Sequence, residues 1–365
     1  MSDAVAVCRD SRWRTAASVA KAAALGGGVV AGLVATVSAV LYSQAKEARR
    51  VIPAAEAPPP RGDGLYGARF PGPPITLVML GDSTAAGYGV HRPRETPGAL
   101  FATAISRRLR RPVRLHRLAV VGSLSSGLPY QVEAALEHKP DIAVILIGGN
   151  DVTNRIPIDV AVGYLVDAVR KLRAAGAEVV VGTCPDLGTI RPIKPPLRWL
   201  ARRRSRQLAA AQTVAVIEAG GRTVSLGDLL GPRFAAEPTR LFAWDRFHPS
   251  AEGYAIAVAT MLPTVIAALT ERDRGPVPVE QTGEVRSLPQ AAKKAARRAG
   301  TAISGAQVAG RDRGPAGRWV RLRRYRPPLP GGALSRLLGA ARGGQPAGQP
   351  EPASAGRLAT AQESP

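Results

Sequence analysis

The sequence predicts an α/β domain over residues 75–270, in which helices cover both faces of a mostly parallel β-sheet. Two observations predict this class: short runs rich in Val, Ile and Leu have the composition of buried strands, and segments with helical periodicity separate them. The predicted strands are Ile75–Leu80, Val113–Val120, Ile142–Ile147, Glu178–Gly182 and Arg222–Ser225. The predicted helices are Pro97–Arg110, Leu128–Glu137, Ile158–Ala174, Leu197–Ala219 and Ala251–Leu269.

Composition limits the classes of protein that fit. The chain has 365 residues and 45% hydrophobic content, enough for one or two domains with a large core. A net charge of +23 favours anionic partners: nucleic acid, acidic lipid head groups or an acidic envelope polymer. The two cysteines, Cys8 and Cys184, form no disulfide framework, and the four histidines show no metal-ligand spacing. We therefore expect no metal and no cofactor.

The N-terminal region has the pattern of a membrane anchor. Residues 1–21 are basic, and Ala22–Tyr42 then runs without a charged residue. This length matches the roughly 20 residues that span a bilayer as a helix, and exceeds the core of a cleavable signal. We expect a transmembrane helix or uncleaved signal anchor, with the main domain on the extracytoplasmic side. Small residues at Val37–Ala39 and Ser43–Ala45 leave cleavage and secretion as the alternative.

Two further segments flank the predicted domain. Residues 43–74 are Pro-rich and predict an extended linker. Residues 271–365 are rich in Pro, Gly and Arg and predict a basic disordered tail, because their apolar content is too low to offset the entropy of ordering. Outside a membrane, the basic tail would meet lipid head groups or envelope polymers rather than nucleic acid. A solvated tail without any partner is the alternative.

The first predicted strand ends at Gly81-Asp82-Ser83-Thr84, where glycine and small polar residues indicate a tight turn into a helix. Ser83 therefore lies where the carboxyl end of a strand meets a helix N-terminus. The free backbone N–H groups at such a terminus favour negative charge, which suits the oxyanion of acyl transfer. By itself, Ser83 fits an ordinary helix cap equally well.

Other polar residues follow further strand ends. Gly122 comes after the second strand, with Gly127 as a rival, and Asn150 comes after the third. Asp245 and His248 stand just before the last helix. Because ligands bind beyond the carboxyl ends of parallel strands, we expect these residues to meet at one edge of the sheet.

Together these residue types suit acyl transfer through a serine. A hydroxyl becomes nucleophilic when a base takes its proton, and His248 is the candidate base. Asp245 can fix the tautomer and orientation of that imidazole. The N–H groups of Ser83 and Gly122, with the side-chain amide of Asn150, would form an oxyanion hole. Each residue alone has a structural explanation as a turn or a cap, so the hypothesis rests on their joint occurrence.

These blocks resemble the four motifs of the SGNH (GDSL-type) hydrolase family over about Ile75–Leu269. They are Gly-Asp-Ser ending at Ser83, Gly122, Gly-x-Asn-Asp around Asn150, and Asp-x-x-His ending at His248. The resemblance implies a three-layer α/β/α fold with a five-stranded parallel sheet in the order 2-1-3-4-5. It also implies a serine nucleophile, a histidine base oriented by aspartate, and metal-independent ester hydrolysis. The basic, membrane-linked layout is similar to envelope esterases of actinobacteria.

The substrate is predicted only as a class, a small acyl ester or a lipid. Thioesterase and polysaccharide O-acetylesterase activities would use the same site. A third alternative is a membrane-tethered cationic module that binds anionic envelope polymers, although the complete triad argues against it. Candidate pocket residues are Tyr88, His91, Leu128 and Asp186.

Overall fold

A six-stranded β-sheet forms the centre of the computed structural model, which describes residues 34–52, 57–274, 289–290, 307–308 and 311–312. The order of its strands is β1-β3-β2-β4-β5-β6, and β2 to β6 are parallel. The strands are β1 Gly64–Tyr66, β2 Ile75–Gly81, β3 Val113–Arg117, β4 Ile142–Leu146, β5 Glu178–Gly182 and β6 Arg222–Val224. The α/β class and the order of the five predicted strands are confirmed. The sheet has six strands rather than five, because β1 adds to β3 in antiparallel orientation.

The strand register aligns the carboxyl ends of the central strands. Gly81 pairs with Leu146, Leu146 pairs with Gly182, and Gly182 pairs with Val224. These four residues form one row across the sheet, so the loops that follow β2, β4, β5 and β6 all begin at the same edge. We call this row the catalytic edge, because the sequence predicts the candidate catalytic residues there.

Helices cover both faces of the sheet and give three layers. Alternate residues of β2 serve the two cores: Leu77 and Met79 pack against helices on one face of the sheet, whereas Val78 and Leu80 pack against helices on the other face. This burial on both sides explains why the strands are almost entirely apolar. The helices are α1 over residues 34–51, α2 Ser83–Ala86, α3 Pro97–Leu109, α4 Leu128–Glu137, α5 Gly149–Thr153, α6 Ile158–Ala174, α7 Leu197–Glu218, α8 Leu226–Ala236, α9 Pro238–Leu241 and α10 Ala251–Arg274.

Helix α10 extends beyond the predicted domain end at residue 270. In its last turn, Glu271 pairs with Arg222 at 2.7 Å, and Asp273 pairs with Arg111 at 3.2 Å. This turn therefore belongs to the domain. The remainder of the predicted tail lies mostly outside the described residues, which include a short antiparallel pair, β7 Gln307–Val308 and β8 Arg311–Asp312.

The N-terminal helix reaches the domain through its C-terminal end. Most of the predicted anchor Ala22–Tyr42 lies outside the described residues, but residues 34–42 are helical and largely exposed. Further along α1, Ala48 is buried against the domain, and Gln44 donates a hydrogen bond to the Pro195 carbonyl at 2.7 Å. The predicted linker over residues 43–74 thus differs from a uniform spacer, since it contains the end of α1 and all of β1.

Among the described helices, one has the length and composition of a membrane span. It is α10, over Ala251–Asp273, with a mean hydropathy of 1.7. One side of α10 packs in the core through Val258, Met261 and Val265. Its apolar character is therefore accounted for by its contact with the sheet.

Candidate active site

Ser83 is held at the catalytic edge by a turn that requires glycine. Gly81 has φ +129°, and a Cβ there would lie 1.9 Å from the Leu146 carbonyl oxygen. The next residue, Asp82, caps α2 by accepting a hydrogen bond from the Thr84 amide at 2.9 Å. Ser83 is the first residue of α2 and is buried. Burial raises the pKa of Asp82, directly beside the serine, to about 6.

A chain of hydrogen bonds joins Ser83, His248 and Asp245. The Ser83 Oγ lies 2.7 Å from the His248 Nε2, and the His248 Nδ1 lies 2.5 Å from the Asp245 Oδ2. Burial alone would raise the pKa of Asp245, but hydrogen bonds from His248 and from the Phe247 amide outweigh it and lower that pKa. The carboxylate is therefore ionised and can hold the Nδ1 proton, which leaves Nε2 to accept the hydroxyl proton.

The loop that carries Asp245 and His248 is closed on itself. An isolated β-bridge joins Phe242 to Pro249, and the Ala243 amide donates to the His248 carbonyl at 2.8 Å. Within the loop, the Asp245 Oδ1 accepts from the backbone amides of the two residues before Pro249, each at 3.0 Å. These contacts fix the carboxylate and the imidazole relative to each other before any substrate binds.

Aromatic residues hold the imidazole from two sides. The ring centroid of Tyr88 lies 4.7 Å from that of His248, and the ring of Phe247 packs against it edge-on at 4.9 Å. The buried Tyr254 hydroxyl donates to the Tyr88 carbonyl at 2.7 Å. Sequence reasoning proposed Tyr88 as a pocket residue and did not consider the other two. The sequence carries no signal of this packing, because Tyr88 is far from His248 and from Tyr254 along the chain and no spacing rule connects them.

Asn150 is a further predicted residue that reaches this edge. It lies in α5, which begins after Gly148 with φ +128°, and its Nδ2 donates to the Ser123 carbonyl at 3.1 Å. The neighbouring Asp151 is buried and accepts a 2.8 Å hydrogen bond from the Ser125 hydroxyl. The loops after β3 and β4 are therefore joined, and Asn150 keeps a second N–H of its amide for another acceptor.

Gly122 lies in an open turn of the loop that follows β3. It has φ +80°, it is exposed, and a Cβ built there would meet nothing within 4 Å. No backbone hydrogen bond of the described residues uses its N–H. By contrast, its rival Gly127 lies at the start of α4, where a Cβ would come within 2.4 Å of the Ser123 hydroxyl. Gly127 thus has a packing role, whereas the amide of Gly122 is available.

A cavity extends from Ser83 and Asn150 into the apolar interior. It runs between α8, α10 and the segment that follows β5. Of the predicted pocket residues, Asp186 lines this cavity; Leu128 is buried in the core, His91 is exposed, and Tyr88 contacts the imidazole. The apolar lining of the cavity includes Phe101, Leu146, Leu187, Ile190, Leu226, Leu230, Phe234, Phe247, Ala257, Val258 and Met261.

The polar wall of the cavity contains an ion-pair cluster that sequence reasoning missed. The buried Asp186 Oδ2 lies 3.2 Å from the Arg202 Nε and 3.1 Å from the guanidinium of Arg206, both on α7. Cys184, two residues earlier, is also buried, and burial raises the pKa of its thiol. Within the described ranges, no group of three or more His, Cys, Asp or Glu residues could hold a metal ion.

Comparisons with known proteins give a matching family, a sequence relative and structural matches. Residues 79–256 match the model of the GDSL-like lipase/acylhydrolase family. The chain is 45% identical over 245 residues to the GDSL-like esterase Rv1075c of Mycobacterium tuberculosis, covering 64% of this chain and 78% of that protein. Solved structures with a similar fold include TesA, at 22% identity and TM-score 0.42 over 52% of this chain and 97% of that chain. The lipase/acylhydrolase from Enterococcus faecalis is 21% identical, with TM-score 0.43 over 56% and 100%.

Proposed function

The chain belongs to the GDSL-like lipase/acylhydrolase family and is a carboxylic ester hydrolase, and from this premise we propose that Ser83, His248 and Asp245 are its catalytic triad. The observation that carries the proposal is the continuous pair of hydrogen bonds, at 2.7 and 2.5 Å, that links the three side chains. The placement of Ser83 between the end of β2 and the first residue of α2 supports the proposal further, since that position exposes backbone donors.

In the proposed reaction, the Ser83 Oγ attacks the ester carbonyl while the His248 Nε2 takes its proton. Asp245 stabilises the imidazolium that forms. The backbone N–H groups of Ser83 and Gly122, with the free N–H of the Asn150 amide, bind the oxyanion of the tetrahedral intermediate. The imidazolium then gives its proton to the leaving alcohol, and an acyl-serine remains. In the second half-reaction, His248 takes a proton from the water that attacks the acyl-serine, and returns it to the Ser83 Oγ as the acyl–oxygen bond breaks and the carboxylic acid leaves.

We further propose that the apolar cavity binds the acyl chain. Its wall is made of aliphatic and aromatic side chains beginning beside Ser83 and Asn150, so a chain attached to the reacting carbonyl would lie against them. An acetyl group would leave most of that surface without contact, which makes a polysaccharide O-acetylesterase the weaker candidate. A thioester with the same acyl chain fits the cavity equally well.

For localisation, we propose that Ala22–Tyr42 anchors the chain in a membrane with the catalytic domain on the extracytoplasmic side. The exposed apolar residues Val34, Val37 and Val40 on α1 support this, since lipid would cover them. Carbonate-washed membranes should retain the protein, and external protease should reach its domain in intact cells. A soluble form that begins near Val40 or Lys46 would instead support cleavage and secretion.

Labelling with a fluorophosphonate tests the triad directly. Wild-type protein should be labelled on Ser83, and Ser83→Ala should abolish labelling, whereas Ser126→Ala, an exposed serine nearby, should not change it. Unchanged labelling of Ser83→Ala would reject the assignment of the nucleophile.

A series of soluble esters with increasing acyl length tests the cavity. Because each buried methylene contributes about 0.8 kcal/mol, kcat/KM should rise by up to about fourfold per methylene until the cavity is full. Ala257→Phe places a ring in the cavity and should shift the preference to shorter chains. If the acetyl ester were the best substrate for both the wild type and Ala257→Phe, the cavity would not be an acyl-chain site.

A further inference from the structure

The first half of α7 carries an unusual concentration of positive charge. No acidic residue occurs in the sequence between Asp186 and Glu218, whereas basic residues are frequent there. Trp199, Arg203 and Arg206 are spaced by four and three residues, so they lie along one side of the helix, and all are exposed. The basic residues in this interval are Arg191, Lys194, Arg198, Arg202, Arg203, Arg204 and Arg206. We call Arg198, Trp199, Leu200, Arg202, Arg203 and Arg206 the basic face.

Little of this charge is neutralised within the domain. Arg202 and Arg206 share the buried Asp186, so two guanidinium groups face one carboxylate. Arg198 and Arg203 have no ion-pair partner among the residues that the structure describes. The basic face therefore keeps a net positive charge that an anionic surface would complement.

Large apolar side chains lie within the same surface. Trp199 is 65% exposed and Leu200 is 48% exposed, directly between the arginines. A helix face that is only solvated, or that binds only a soluble polyanion, gains nothing from an exposed indole and leucine. Tryptophan beside basic residues is the composition of a surface that lies at the level of lipid head groups.

The position of α1 connects the basic face with the proposed anchor. The Leu197 amide, at the first residue of α7, donates to the Gln44 Oε1 at 3.1 Å. Lys194, just before α7, pairs with Glu47 at 2.7 Å. Because α1 continues from this contact towards Ala22–Tyr42, an anchored chain would hold the start of α7 close to the bilayer.

We propose that the basic face of α7 docks on a bilayer surface that contains anionic phospholipids, with its arginines on the phosphates and Trp199 and Leu200 among the head groups. The proposal rests on the membrane attachment proposed above. Since Arg202 and Arg206 bind Asp186 in the cavity wall, docking also brings that wall close to the lipids. An acyl ester that resides in the membrane is then the substrate that reaches the site over the shortest path.

The test uses the full chain reconstituted into phosphatidylcholine vesicles, with or without phosphatidylglycerol in place of about a third of the lipid. Lipids that carry a quencher near the head group report docking, because they quench the fluorescence of Trp199 when it lies among the head groups. The fluorescence of Trp199 is obtained as the difference between wild type and Trp199→Phe. The test variant is Arg198→Gln/Arg203→Gln. The matched control is Arg107→Gln/Arg108→Gln, which removes two exposed arginines from α3 in the opposite layer.

We expect quenching of Trp199 in anionic vesicles, and its loss at high salt. Because each basic side chain near an anionic surface contributes about 1 kcal/mol, Arg198→Gln/Arg203→Gln should lower the ratio of docked to undocked protein about thirty-fold. The control variant should behave as wild type. Retained quenching in the test variant would overturn the role of these arginines.

Two other outcomes would also overturn the proposal. If the protein floats with the vesicles but Trp199 stays unquenched, the anchor holds and the basic face does not dock. If inorganic polyphosphate binds the protein while Trp199 remains unquenched by lipid, the partner is a soluble polyanion. If the protein fails to float with anionic vesicles, both docking and anchoring are rejected. Hydrolysis of a soluble ester tests the catalytic proposal separately.

Discussion

The two halves of the candidate active site are held by the fold in different ways. In the acid–base half, Ser83, Asp245 and His248 are 7%, 2% and 9% exposed and are joined to one another by short hydrogen bonds. In the oxyanion half, Gly122 is exposed in an open turn, and the Asn150 side chain has a single hydrogen bond, to the Ser123 carbonyl. In the proposed mechanism, proton transfer therefore relies on geometry that is fixed before the substrate binds, whereas the proposed oxyanion donors keep N–H groups free for the substrate.

The largest effect is expected from breaking the acid–base half. Ser83→Ala and His248→Ala should each lower kcat by about 10⁴-fold or more, because each removes one member of a unit. The double variant should be little worse than either single variant. Rates measured on a soluble ester, with thermal unfolding as a control for folding, test this. Additive losses in the double variant would mean that the two side chains act independently.

Asp245→Asn should have the next largest effect, about 10³- to 10⁴-fold on kcat. The amide is close in shape, but it no longer holds a charged acceptor against the His248 Nδ1–H, so the wrong tautomer is favoured. Because the pKa of Asp245 is lowered, the carboxylate stabilises the folded state above its unfolded pKa, and this contribution is lost as pH falls through the folded value. A variant with wild-type kcat would show that Asp245 only caps the loop.

Asn150→Ala tests the oxyanion half. Removing one preorganised donor should lower kcat by about 10²- to 10³-fold, or roughly 3–4 kcal/mol, with little change in KM. Asn154→Ala is the matched control, since Asn154 lies at the end of the same helix and its exposed amide contacts only that segment. Equal losses in both variants would point to damage to α5 rather than to a missing donor.

Gly122→Ala should have a smaller effect on catalysis. The N–H stays in place and a Cβ meets no neighbour, but a φ of +80° costs an alanine about 1–2 kcal/mol. Relief of that strain would turn the amide away, so we expect a loss of kcat of about tenfold. Gly72→Ala is the matched control, because Gly72 has φ +91° and an equally open site that lies far from the catalytic edge. Wild-type kcat in Gly122→Ala would remove Gly122 from the oxyanion hole.

The smallest effect on turnover is expected at Asp82, whose main influence is on stability. The pKa of Asp82 in the folded state, about 6, lies above its value in the unfolded chain. Its favourable contribution to the free energy of unfolding is therefore complete below pH 4 and is lost as the pH rises through 6. A pKa of Asp82 that rises from 3.8 to about 6 on folding corresponds to about 3 kcal/mol of free energy of unfolding. Asp82→Asn keeps an acceptor for the Thr84 amide, and should raise the free energy of unfolding at pH 8 more than at pH 4. An equal change at both values would contradict a buried, titrating carboxyl.

The central strands and the contact between Asp245 and His248 could be predicted because their signals are local. Ile142–Leu146 and Glu178–Gly182 are short branched apolar runs, and their burial on both faces leaves the sequence few alternatives. The catalytic edge followed from topology, since parallel strands bring their carboxyl ends together. Asp245 and His248 are three residues apart, so their contact needs only one turn.

The remaining features depend on contacts distant in sequence. Strand β1 has three residues, Gly64–Tyr66, and exists only because β3 offers an edge for pairing. Helix α8 contains Pro232 past its midpoint, where proline removes a helical hydrogen bond, so a local reading of the sequence counts against a helix there. The pairing of Asp186 with α7 and the packing of Tyr88 on His248 join segments that no spacing rule connects.

The shortness of β1 has a consequence for how the protein behaves at high local concentration. In the described sheet, the two edge strands, Gly64–Tyr66 and Arg222–Val224, have three residues each, whereas the longer strands Ile75–Gly81 and Ile142–Leu146 are paired on both sides. A neighbouring molecule therefore finds only a very short ladder to extend, and the segments most prone to intermolecular β-aggregation are shielded. Crowding of many copies in one plane would then leave them as separate folded domains.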